Sequence, residues 1–156
     1  MTTIAKLVEQ KLWRPLLMEK EGGWTTDEKG LERMESGFHG TARDVARIGL
    51  LYLIGGRDGS SAILPGSWFN DMQTVGTEKP AKNLDGRTWA YGLGWRVNLR
   101  ESGDHAQCAI GNLGQFIYVS QKHEAVIVRH RLKSKWSDYD WTELFYDAST
   151  SSDLTH

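Results

Sequence analysis

The stretch Trp89-Ala90-Tyr91-Gly92-Leu93-Gly94-Trp95-Arg96-Val97-Asn98 decides the class of this chain. Its residues alternate with a period of two, the spacing of a strand whose neighbours point to opposite faces. Trp89, Tyr91, Leu93, Trp95 and Val97 are expected on one face, and Ala90, Gly92, Gly94, Arg96 and Asn98 on the other. Further strand patterns follow at about 106–111, 115–121 and 124–131, separated by short turns. Strands this close together must be antiparallel neighbours, because a parallel crossover needs a dozen or more residues.

The period changes upstream. Ile4, Leu7, Val8 and Leu12 fall at helical spacing over 3–14, and Pro15 ends that helix. Residues 20–36 read as polar and irregular. Thr41 with Asp44 resembles a capping box, opening a helix that carries Ala42, Val45, Ala46, Leu50 and Leu53 on one stripe and stops at Gly55-Gly56. A turn over Arg57-Asp58-Gly59-Ser60 precedes Pro65, which opens a short helix over about 66–73. A polar loop over 76–88 then leads to the sheet. A last helix is expected over 140–148.

Helices first, an antiparallel sheet of about four strands, then a closing helix make an α+β layout. One domain is expected over 1–148, with 1–88 mainly helix and loop, 89–148 sheet plus helix, and 149–156 a loose tail. The apolar run Ala125-Val126-Ile127-Val128 would form a bare sheet edge unless something covers it.

Composition narrows the function classes. With 156 residues, 25% of them charged and a formal charge of −1, the chain is neither disordered nor a strongly basic nucleic-acid binder. One cysteine makes no internal disulfide and no cysteine zinc site, and it permits a reducing compartment, with the cytoplasm the first choice. The N-terminal residues do not read as a signal peptide, and no apolar run reaches the ~18 residues of a membrane span. No metal, cofactor, nucleic acid or membrane is expected.

Generic catalytic motifs are missing. There is no Gly-x-Ser-x-Gly elbow, P-loop or His-Glu-x-x-His; no serine has a lysine three residues on, and no tyrosine has an asparagine two residues on. Ser36, His39 and Asp44 look like a triad but sit at a helix entrance, where such residues ordinarily cap. His105 and Cys108 point to opposite faces of one strand. His123 and His130 lack matched metal-ligand partners. Arg43, Asp44 and Arg47 read as an ion-paired helix face. Trp89, Tyr91 and Trp95 read as core, and Trp136, Tyr139, Trp141, Phe145 and Tyr146 as anchors of the last helix. The segment Ala109-Ile110-Gly111-Asn112-Leu113-Gly114-Gln115 is different. Its glycines allow close approach to the backbone, and an N–H near Asn112 could face a developing oxyanion, although hairpin glycines need no such role.

Four segments together resemble the serine β-lactamase-like hydrolases. They are Leu12-Trp13-Arg14-Pro15-Leu16 before Met18, the stretch Gly37-Phe38-His39-Gly40-Thr41-Ala42-Arg43-Asp44-Val45-Ala46-Arg47-Ile48-Gly49, then Tyr91-Gly92-Leu93-Gly94-Trp95, and Ile110-Gly111-Asn112-Leu113-Gly114-Gln115-Phe116-Ile117-Tyr118-Val119. Order and spacing fit from about residue 2 to 148, closest to the 6-aminohexanoate-dimer hydrolase and esterase branch. The resemblance implies acyl transfer: a serine attacks an amide or ester carbonyl, a lysine one helical turn on and a tyrosine move protons, and two backbone N–H groups hold the oxyanion. It places the family's Lys-Thr-Gly position at Ala109-Ile110-Gly111, with Ala109 and Ile110 against substrate and the N–H of Asn112 beside Gly111 in the oxyanion hole.

The family's serine-lysine and tyrosine motifs normally precede the Leu-Trp-x-Pro-Leu segment, and neither is in this sequence. The Lys-Thr-Gly position is apolar here, so no side chain there binds a substrate carboxylate. The expectation is a C-terminal fragment without activity of its own, taking a small amide or ester only when an N-terminal half completes it. A self-associated dimer through the 124–131 edge is the other expected partner, and a non-catalytic module that binds a partner strand there is the alternative reading.

Overall fold

A computed structural model of the chain describes residues 3–33, 36–58, 61–78, 81–82, 88–100, 102–133 and 136–151. At its centre is an antiparallel sheet of six strands: β5 (Ala81–Lys82), β6 (Thr88–Gly92), β7 (Trp95–Leu99), β8 (His105–Gly111), β9 (Gln115–Ser120) and β10 (Ala125–Arg129). The spatial order is β10-β9-β8-β7-β6-β5, so the long strands form a meander with β10 at one border. Before the sheet come α1 (Ile4–Val8), which continues as a π-helical turn over Glu9–Trp13, the pair β1 (Gly23–Trp24) and β2 (Phe38–His39), α2 (Ala42–Leu53), the pair β3 (Arg57–Asp58) and β4 (Ser61–Ala62), and α3 (Gly66–Glu78). Helix α4 (Asp138–Thr150) closes the chain.

The α+β class is as the sequence predicts, but the sheet has more strands. The stretch 89–98 is not one strand. Leu93 and Gly94 both have positive φ, 49° and 87°. A two-residue turn with both dihedrals left-handed matches the twist of a hairpin. Gly92 therefore pairs with Trp95, and Trp89 with Asn98. Paired residues share a face, so the turn reverses the parity of everything after it. Trp89 and Trp95, expected side by side, lie on opposite faces.

Each face has its own core. Trp89, Ala106, Cys108, Phe116 and Tyr118 meet Phe145 of α4. Trp95 and Val119 meet Tyr52 of α2 and Phe69 and Met72 of α3. A sheet sandwiched between helices results. Burying Cys108 completely pushes its thiol far above the ordinary range, which removes the thiolate that chemistry would need. Burial also lifts the Tyr118 hydroxyl to about 12.

Helix limits moved where local hydrogen bonds decide them. A true capping box, Ser137 with Asp140, starts α4 at Asp138, and the helix runs to Thr150, past the expected end at 148. Helix α3 continues to Glu78. Residues 20–36 are more ordered than their polarity suggests: Trp24 Nε1 donates to the carbonyls of Arg33 and Ser36, and Thr26 bridges Glu32. The expected turn residues Gly59 and Ser60, the Asp85-Gly86 signal and positions 152–156 of the tail lie outside the described residues. Among the described residues no helix is long and apolar enough to cross a membrane.

Candidate functional site

Ala109, Ile110 and Gly111 form the last turn-ward residues of β8. Pairing with β7 ends at Arg96 opposite Cys108, while pairing with β9 continues to Gly111 opposite Gln115. The end of β8 is thus held from one side only. It opens onto a groove of about 510 Å³ whose lining includes Phe38, His39, Gly94, Ala109 to Gly111, Phe116 and His130. Ala109 packs with the α2 and α3 core, and Ile110 with the α4 core, so their side chains leave the strand on opposite faces.

Asn112 lies exposed at the tip of the β8–β9 hairpin, beyond the groove lining. The hairpin turns through Leu113 and Gly114, whose φ values are 62° and 77°. It is clamped from the far side. Arg129 donates to the carbonyl of Gly114, and Gln115 exchanges two hydrogen bonds with the backbone of Arg131. The guanidinium of Arg129 in turn lies 3.7 Å from the centroid of the Trp141 ring. Burial, then the nearby Arg131 charge, holds the Arg129 guanidinium below its ordinary range.

Residues 38–45 make the opposite wall. Asp44 is wholly buried there. It completes only half of the expected capping box: Thr41 Oγ1 accepts from the Asp44 N–H at 3.1 Å, and donates to Asp44 Oδ2 at 2.7 Å. The rest of the carboxylate accepts from the N–H groups of Glu19 at 2.7 Å and Lys20 at 3.3 Å. Arg47 pairs with Glu19 at 2.5 Å and donates to the carbonyl of Leu16. The Arg43, Asp44 and Arg47 group is therefore a tether between α2 and the segment after α1, not a row of mutual ion pairs. His39 Nδ1 contacts the Gly37 carbonyl, and the Asp44 carboxylate is taken up by Thr41, Glu19 and Lys20 rather than by His39.

The Thr41 hydroxyl, helped by the Glu19 and Lys20 N–H groups and by Arg47, holds the Asp44 carboxyl below the usual range despite the opposing effect of burial. Its folded pKa lies below the ~3.9 of an unfolded chain. The stabilisation is thus full above about pH 4 and disappears as pH falls through the folded value. Asp104, lowered chiefly by its hydrogen bond from Lys122, acts in the same direction. Thermal unfolding followed from about pH 6 down to about pH 2 should show a steep loss of Tm below about pH 4, and Asp44→Asn should flatten that loss while lowering Tm at neutral pH. An unchanged acid slope in Asp44→Asn would remove the tether from this account.

The groove joins what the sequence singled out with what it did not. His39 and His130 come from segments far apart in the chain, and only the tertiary fold brings them to Ala109–Gly111. A second groove of about 530 Å³, lined by Trp13, Gly22, Gly23, Trp24 and Phe38 among others, lies on the far side of Phe38. Among the described residues no group of three His, Cys, Asp or Glu could hold a metal ion.

A solved structure provisionally named 6-aminohexanoate-dimer hydrolase, from Bacillus anthracis, superposes with a TM-score of 0.83 and 28% identity over 95% of this chain. The chain is related to the β-lactamase-like hydrolases. A 6-aminohexanoate-dimer hydrolase from Paenarthrobacter ureafaciens is 28% identical over 134 residues, 83% of this chain, and the match falls in its C-terminal part. No family model matches. The chain spans 38% of the Bacillus structure and 33% of the Paenarthrobacter protein, about a third of these β-lactamase-like relatives.

Proposed function

We propose that this chain is the C-terminal portion of a serine hydrolase acting on amides or esters, and that it lacks turnover by itself. The single observation that carries the reading is the partial coverage: two relatives named 6-aminohexanoate-dimer hydrolase match 83% and 95% of this chain, yet the chain accounts for only about a third of each. No Ser-x-x-Lys or Tyr-x-Asn occurs in the sequence. Without a nucleophile the covalent route is closed, and positioned donors alone leave only a small residue of catalysis.

In the completed enzyme the backbone N–H at Asn112, next to Gly111, is an oxyanion donor, and Ala109 and Ile110 border the substrate. The one-sided pairing of Ala109–Gly111 along the groove supports that role. The test is hydrolysis of p-nitrophenyl esters by the 156-residue chain, alone and mixed with the N-terminal two-thirds of a relative. The chain alone is expected to stay at the buffer rate, and the mixture to turn over. Serine-dependent turnover by the chain alone would overturn the reading, as would a stable but inactive complex. In an active mixture Asn112→Pro, which deletes the N–H, should lower kcat by about 100- to 1000-fold, whereas Asn112→Ala should leave it nearly unchanged.

A second reading rests on β10. It ends the sheet order, and its residues Ala125–Arg129 are half-buried. Helix α2 packs against β10, and among the described residues no strand pairs with its outer border. On this reading β10 pairs with a second copy or with a strand of the complementing half. Sedimentation should then show association that rises with concentration, with slowed amide exchange at Ala125–Arg129. A sharp monomer with fast exchange at those amides refutes it.

A further inference from the structure

The Arg129 guanidinium makes one side-chain hydrogen bond among the described residues, to the carbonyl of Gly114. Its Nη2 is out of solvent and has no partner. The ion pairs of the described residues take up Arg14, Arg47, Arg96, Arg100 and Lys122, and none includes Arg129. Burial and the Arg131 charge both act against its protonated form. What offsets them is the Trp141 ring face, 3.7 Å away. Gly114 is buried, so its carbonyl needs a donor. A neutral donor would meet that need without desolvating a charge. A cation with a donor to spare and no counter-charge is therefore more than a turn carbonyl requires.

Its place indicates the use. Gly111 pairs with Gln115, so Asn112, Leu113 and Gly114 form the turn between β8 and β9. Leu113 takes a left-handed φ of 62° that is uncommon for a bulky residue, and it is exposed, so neither its own conformation nor burial holds the turn. Strand β7 stops short on the other side, with Arg96 opposite Cys108 as its last pair. The hold comes from the β10 side alone, through Arg129 on Gly114 and Arg131 on Gln115. Asn112 opens this turn, so the direction of its N–H depends on that hold.

We propose that Arg129 is a positioning residue for the oxyanion site: it fixes the Asn112 N–H through the Gly114 carbonyl, and its uncompensated charge favours negative charge at the hairpin tip. This rests on the hydrolase reading for its chemistry, but not for the hold on the turn. A carboxylate beside Arg129 would cancel the electrostatic part. Donors and charges set in advance act on the charge that develops in the transition state, so their loss lowers kcat and leaves KM nearly unmoved.

The test uses the full chain with Arg129→Met, which keeps an apolar side chain on Trp141 but removes donor and charge, and Arg129→Lys, which keeps the charge. In the chain alone, backbone NMR order parameters at 112–114 are expected to fall from about 0.85 to below about 0.6 in Arg129→Met, while those of β8 and β9 hold. Arg129→Lys should stay near the parent. In an active mixture with the N-terminal two-thirds of a relative, Arg129→Met should lower kcat by about 10- to 100-fold with KM within about twofold, and Arg129→Lys should recover most of that loss. A purely structural role predicts instead a lower Tm, with kcat unchanged in the assembled mixture and Lys no better than Met. Parent order parameters in Arg129→Met overturn the proposal, as does a raised KM at constant kcat. Parent kcat in Arg129→Met within an active mixture sinks this proposal alone. Absent turnover in the parent mixture, with the turn loosened in Arg129→Met, sinks the hydrolase reading alone.

Discussion

Phe145→Ala is expected to destabilise the chain by about 3–5 kcal/mol, the cost of emptying a buried aromatic site. Phe145 is the only apolar residue of α4 that is fully buried; Thr142 is the other buried position. Its ring meets Phe116 at 5.4 Å and Tyr118 at 5.7 Å between centroids, both edge-on or tilted, a geometry that adds to plain area burial. Other contacts of α4 lie nearer solvent. Arg100 pairs with Glu143 and covers the Tyr146 ring, and such partly exposed ion pairs are worth about 1 kcal/mol or less. They cannot hold the helix once the aromatic anchor is gone. A domain of this size has about 5–15 kcal/mol in total, so the variant should lose roughly 6–20 °C in Tm, with near-UV ellipticity falling first. Phe145→Leu keeps most of the volume and should cost no more than about 1.5 kcal/mol. A loss below about 1 kcal/mol in Phe145→Ala would mean that α4 is not what closes this face. The consequence reaches the site, because α4 backs the strands β8 and β9 that carry Gly111 and the hairpin.

How much of this was legible depends on whether a local signal existed. Strands β8, β9 and β10 follow from alternation and short turns, and α2 from its stripe between Thr41 and Gly55. The hairpin inside 89–98 was hidden because alternation runs straight through a two-residue turn, and the residue that opens it is Leu93, where Asn or Asp would have announced it. Reading Leu93-Gly94 as a turn on the glycine alone would have put Trp89 and Trp95 on their proper faces. The start of α4 was available in Ser137 and Asp140. In the candidate site, glycine spacing and family resemblance single out Ala109 to Gly111, and the fold puts all three along one groove. The sequence does not bring His39 and His130 there, since nothing local links them to β8; the groove exists only once α2 docks on β9 and β10. Asp44 was seen as a cap, but its grip on the N–H groups of Glu19 and Lys20 joins segments about 25 residues apart and has no sequence signature.

That docking of α2 yields the second large effect. Gly49 sits in the middle of the helix, where glycine is worth about 1 kcal/mol less than alanine. The reason for it is contact. A Cβ at Gly49 would lie 2.5 Å from Val126 Cγ1 of β10 and 3.0 Å from Ile117 Cγ2 of β9. Two side chains on two strands would have to move, and neither is a flexible end. Gly49→Val is therefore expected to cost about 3 kcal/mol, the upper part of the range for overpacking, against a propensity gain of well under 1 kcal/mol. Gly49→Ala decides the sign most sharply. Its propensity gain of about 1 kcal/mol opposes a clash of similar or larger size, and the clash should win. Urea unfolding of Gly49→Ala should then show a lower midpoint, and pairing it with Val126→Ala should recover part of the loss, a coupling of about 0.5–3 kcal/mol. Strict additivity, or a Gly49→Ala variant more stable than the parent, would show that α2 stands off the sheet. In that case the wall formed by Gly40 and Val45 would not face Ala109–Gly111 closely enough to make a binding groove.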